Sequence, residues 1–155
     1  MNSTTEIDQT TLDELQDLIR TNLVARDSLY TAAENLDNET LQKICRRLAD
    51  ELGGHVAELE QFLLANHAQP VDPDDKVVSL LRAIVLDALQ QDSATVTALR
   101  MGEKCAQQLK SQYQEAIENT GNRRAQGLLH QQQKTVESGE DVLHALSELK
   151  RESSP

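Results

Sequence analysis

The side chains best suited to chemistry in this chain are a handful of carboxylates and imidazoles. Glu51 and His55 stand four residues apart, Glu140 and His144 repeat that spacing, and Glu103 sits beside Gly102. Carboxylates and imidazoles on facing helices are the ligands of di-metal centres. There two helices each supply a Glu and the other two each supply a Glu-x-x-His pair. The three-residue step matters because it stacks both ligands on one helix face, one turn apart. No Glu-x-x-His occurs here, and the four-residue step aims its side chains differently. The first helical segment also lacks a central Glu, carrying Asp27 in mid-course and Glu34 only near its end. The expectation is therefore no catalytic residues and no metal or other cofactor. A core or boundary histidine hydrogen-bonded to a neighbouring helix accounts for His55. The alternative is a di-iron or di-manganese site built from Glu51, His55, Glu103, Glu140 and His144, giving an oxidase or metal-storage protein.

Other chemistries fare worse. Cys45 and Cys105 are far apart, both lie on apolar stripes, and neither has a His nearby. They read as reduced core thiols of a cytoplasmic protein. His130 precedes Gln131-Gln132-Gln133-Lys134, which puts the Lys one place late for a phosphotransfer histidine. No Gly-x-Ser-x-Gly or Gly-rich phosphate loop is present. The three aromatic residues, Tyr30, Phe62 and Tyr113, offer no platform for stacking bases. A formal net charge of −11 repels phosphate backbones and anionic headgroups, so neither nucleic acid nor membrane is an expected partner.

The elements that must position these residues are helices. Leu12, Leu15, Leu18, Ile19, Leu23 and Leu29 recur at three- and four-residue steps, as do Leu41, Ile44, Leu48, Leu52, Val56, Leu59 and Leu63. No stretch alternates with the period of two that a strand requires. Thr11-Leu12-Asp13-Glu14 has the form of a capping box, so the polar residues 1–10 are expected to be disordered and the first helix to run from Leu12 to Leu36. Asp37 or Asn38 caps a second helix that reaches Asn66. After a loop, Asp72-Pro73-Asp74-Asp75 restarts a helix. Continuous helix to Asn119 would be nearly twice its partners' length. A break at Gln90–Ser93 is therefore expected, leaving a crossover helix at about 74–90 and a core helix at about 93–119. Thr120-Gly121 supplies a left-handed cap, Asn122 starts the last helix, and that helix runs to Lys150 with residues 151–155 frayed. The fold class is all-α: one domain over residues 11–150, an antiparallel four-helix bundle of two hairpins joined by a crossover helix, which is the ferritin-like arrangement.

With that order of elements, the Tyr30-Thr31-Ala32-Ala33-Glu34 end of helix one, Arg46-Arg47 in helix two, and Gly102-Glu103 followed by Tyr113-Gln114-Glu115-Ala116 resemble one bacterial family. It is a domain-of-unknown-function family of ferritin-like four-helix-bundle proteins, and the resemblance covers about residues 11–149. It implies the bundle and no activity.

Two further features bear on partners. Gly53-Gly54 lies inside helix two at about 1 kcal/mol per Gly relative to Ala, which predicts tight helix packing there rather than a ligand cavity. In the crossover helix, Val77, Val78, Leu80, Leu81, Ile84, Val85, Leu86 and Leu89 cover more than half the circumference. Packing on the bundle can bury one face of it, so the remainder is expected to pair with another subunit. The function expected is that of a non-enzymatic, soluble, ferritin-like bundle, homodimeric through residues 74–90 or bound to a protein partner, in a stress-linked role.

Overall fold

The computed structural model describes residues 7–34, 36–71, 75, 76, 78–80, 83 and 94–153. Among these, every regular element is an α-helix: α1 (Gln9–Glu34), α2 (Glu39–Ala65), α3 (Ala94–Asn119) and α4 (Arg123–Ser153). None is long and apolar enough to cross a membrane.

Each helix end has a local cause. α1 begins before the expected capping box: Asp8 Oδ1 accepts the Thr11 amide at 2.8 Å and Ile7 already packs on the core. Thr11 is buried instead, 3.3 Å from the Thr120 hydroxyl, so its oxygen serves helix packing and not the cap. α1 ends at Glu34, two residues before Leu36, which is buried within the turn. Asn38 is the cap of α2, its Oδ1 accepting from the Leu41 amide at 3.1 Å. At the other end His67 takes a left-handed φ of 62°. The Ala68 amide then reaches back to the Leu63 carbonyl and the His67 amide to that of Leu64, the paired closure of a Schellman motif. The α3–α4 turn departs from expectation, since no described Gly has a positive φ and Gly121 is not a left-handed cap. Its work is done by side chains. Thr120 Oγ1 accepts from the Asn122 amide, Asn122 Oδ1 accepts from the Ala125 amide, and Gln126 donates to the Thr120 carbonyl. α4 continues three residues past Lys150, to Ser153.

Leu15, Leu18, Ile19, Leu59, Leu63, Leu109 and Leu129 form one continuous core, and contacts across it give the topology. Thr11 meets Thr120 and Asn22 meets Tyr113, so α1 and α3 are antiparallel neighbours. Gln132 meets His55 and Glu58 while Gly139 approaches Leu48, so α2 and α4 are antiparallel as well. α1 packs closely on α2 and α3, and α3 closely on α4, whereas the α2–α4 seam is the sparsest of the four. α2 ends beside the start of α1, while α3 starts beside the end of α1. The crossover must therefore climb the bundle. At its described positions 76, 78–80 and 83 it is helical, capped by Asp75, whose Oδ1 accepts from the Val78 amide at 3.2 Å and whose Oδ2 accepts from Arg20 at 3.1 Å. The Asp72 cap and the break at Gln90–Ser93 lie outside the described residues.

Candidate functional site

The centre of the bundle is a polar layer to which all four helices contribute. Tyr113 of α3 is wholly buried. Its hydroxyl donates to Gln132 Oε1 of α4 at 2.7 Å and accepts from Asn22 Nδ2 of α1 at 3.1 Å. Asn22 Nδ2 also donates to the Leu18 carbonyl at 2.8 Å, one turn back on its own helix. Gln132 Nε2 reaches α2, where it lies 3.3 Å from the His55 carbonyl oxygen and 3.2 Å from Glu58 Oε1. The His55 ring stands edge-on to that of Tyr113, centroids 6.5 Å apart. His55 Nδ1 and Asn22 Oδ1 are buried without a hydrogen-bond partner. Burial holds the imidazole below its ordinary pKa of 6.5, against the pull of Glu58, and raises the Tyr113 hydroxyl far above its usual range. Both rings are neutral near pH 7. The layer can fix helix register.

The five residues named for the alternative metal site do not converge on it. His55 is in the core, but Glu51 lies in the α2–α4 seam with Arg47 Nε 3.6 Å from its carboxylate. Glu140 pairs with Lys110 at 2.8 Å. Glu103 Oε2 lies 2.9 Å from Nδ1 of the exposed His144, and that carboxylate raises the imidazole pKa. Among the described residues no three His, Cys, Asp or Glu side chains gather as a metal ion requires. His130 is exposed on α4. Cys45 and Cys105 are free, and burial pushes each thiol up to about 11.

Sequence reasoning singled out His55 and missed Asn22, Tyr113 and Gln132. The signal was present: Asn22 interrupts the stripe of Leu15, Leu18, Ile19 and Leu29, and Gln132 falls between Leu129 and Val136. A polar residue in such a place must find partners inside the protein. Tyr30 is placed quite differently from Tyr113: half-buried, it bonds the Asp50 carboxylate at the surface.

The glycines also divide differently than expected. A Cβ at Gly54 would meet nothing within 4 Å, and at Gly53 only Arg26 Cδ at 3.4 Å, so the pair does not mark tight packing. Close approach occurs at Gly102, where a Cβ would stand 3.0 Å from Leu29 and 3.2 Å from Leu143, and at Gly139, 3.3 Å from Leu48. Both glycines border an apolar crevice of about 30 Å³ reached from the α2–α4 seam.

On the outer face, Val78 of the crossover is buried against Val24 and Ala32, with Leu23 and Met101 beside them. Two residues on, Leu80 is 62% exposed.

The class these contacts define is an all-α four-helix bundle bolted through a buried polar layer. A family model described as a domain of unknown function (DUF2383) matches residues 10–119, and the chain belongs to that family. The match runs from the first turn of α1 to the end of α3, stopping short of the expected residue 149. No curated protein matches the chain significantly.

Proposed function

We propose that the protein is a non-enzymatic, cytoplasmic, ferritin-like bundle that pairs with a second copy of itself through the crossover at residues 74–90, in a stress-linked role. The stress link rests on analogy with other ferritin-like proteins. What carries the reading is the two-sided crossover: Val78 anchors it to α1 while Leu80, two positions away, faces solvent. In the sequence Ile84 stands one helical turn beyond Leu80, and its placement lies outside the described residues. A helix apolar on both sides and bound on one leaves surface that association would remove from water, at about 25 cal/mol per Å². Twofold pairing is the commonest way to close such a surface.

Support for a non-enzymatic role comes from the centre of the bundle, where Tyr113 and His55 pack within the polar layer while Glu51, Glu103, Glu140 and His144 pair elsewhere. Sedimentation of wild type and Leu80→Glu tests the pairing: a dimer converted to monomer supports it, and a wild-type monomer at micromolar concentration overturns it. Near-stoichiometric iron or manganese in purified protein, lost in His55→Ala or Glu103→Ala, would establish the di-metal alternative instead.

A further inference from the structure

The crevice between α2 and α4 has a shape and lining that select a ligand. Its inner walls are buried residues of all four helices: Leu29 of α1, Leu52 of α2, Ala106 and Leu109 of α3, and Val136 and Leu143 of α4. The less buried lining residues are Leu48 and Glu51 of α2 and Thr135 of α4, so the mouth opens through the sparsest seam of the bundle. Small residues make the space: Ala25 of α1, Gly102 and Ala106 one turn apart on α3, and Gly139 of α4. The two glycines carry a helix penalty that Ala would avoid.

We propose that this crevice is a binding site for the end of a straight aliphatic chain carrying an uncharged head group. Water gains little there, because an apolar hollow without two to four polar partners does not hold it well. Size sets the shape of the guest. A volume of about 30 Å³ admits roughly two or three water-sized spheres, enough for a chain end and too little for a ring. The lining explains the lack of a charge inside, since a desolvated ion would meet only carbon. At the mouth stands the Glu51 carboxylate, on a protein of net charge −11, which opposes fatty-acid-type head groups. The Thr135 hydroxyl, 3.4 Å from the Gln131 carbonyl, is placed to meet a neutral hydroxyl at the rim.

The test is a titration of the full-length protein followed by methyl-resolved NMR, with 1-butanol, 3-methyl-1-butanol, cyclohexanol and butyrate as probes. Saturable shifts of the Leu52, Val136 and Leu143 methyls are expected with 1-butanol at millimolar concentration, with butyrate and cyclohexanol at least tenfold weaker. Ala106→Leu, which fills the inner wall, should abolish the shifts. Should that variant fail to fold, Gly139→Ala places a single methyl at the same wall and should weaken binding several-fold. Three results would overturn the proposal: no saturable shift, cyclohexanol or butyrate binding as tightly as 1-butanol, or undiminished binding in the folded wall variants. Tighter binding of the leucine-like 3-methyl-1-butanol would also overturn it, in favour of a branched side chain inserted by another protein.

Discussion

Among single residues Tyr113 has the most to lose. Its hydroxyl is both donor and acceptor between Gln132 and Asn22 in a place water does not reach. Tyr113→Phe keeps the ring and strands both partners, so unfolding free energy should fall by about 1–3 kcal/mol, read from urea midpoints. An unchanged midpoint would mean that water replaces the hydroxyl. His55 makes the complementary prediction with pH. Its folded pKa lies below the ordinary 6.5, so between those values the unfolded chain binds the extra proton. The associated stability is complete above pH 6.5 and is lost as pH falls from there through the folded value. His55→Leu should flatten this acid limb, and equal losses in both proteins between pH 7 and 5 would remove His55 as the cause. His144 runs the other way: its pKa is raised by Glu103, so its contribution is present below 6.5 and lost as pH rises through the folded value. Being exposed, that pair should contribute little. The thiols of Cys45 and Cys105 should label slowly in native protein at pH 7, since few molecules carry the thiolate.

At the scale of the element, the four core helices and the caps at Asn38 and Asn122 were legible because periodicity and a short side-chain acceptor are local properties. What was not legible depended on neighbours distant in sequence. Thr11 looks like a cap until Thr120, over a hundred residues away, claims its hydroxyl. Gly121 looks like a left-handed stop, but Thr120, Asn122 and Gln126 close that turn without one. His67 gave no local hint of taking the positive φ that glycine usually takes. The candidate site fared likewise. His55 could be placed on its stripe, yet no pattern within one helix told that Gln132 and Tyr113 would meet beside it. The glycines turn this into a measurement. Gly54→Ala meets no neighbour and should stabilise by about 0.5–1 kcal/mol through helix propensity alone. Gly102→Ala carries the same propensity gain but drives a methyl against Leu29 and Leu143, so thermal denaturation should show it less stable than wild type. Opposite signs from one substitution type would separate backbone cost from packing.

For the whole molecule, the polar layer and the crossover divide the labour of holding and presenting. The layer links α1 to α3, α3 to α4, and α4 to α2, so neither hairpin can leave without stranding buried polar atoms. α4 is part of this unit although the family match ends before it, because Gln132 supplies the link from Tyr113 to α2. The crossover contributes to that unit through Val78 and the Arg20–Asp75 ion pair, while Leu80 beside them is exposed. The proposed pairing through the crossover would add a concentration term to stability, because a dimer that dissociates on unfolding is favoured by mass action. The melting temperature should therefore rise with protein concentration across the micromolar range. Leu80→Glu removes an exposed side chain from the pairing face while leaving Val78 and the core untouched. Its melting temperature should become independent of concentration, with helicity unchanged by circular dichroism. A wild-type melting temperature that stays flat over a hundredfold dilution range, in a protein that sediments as a monomer, would leave the crossover as a clasp on its own bundle.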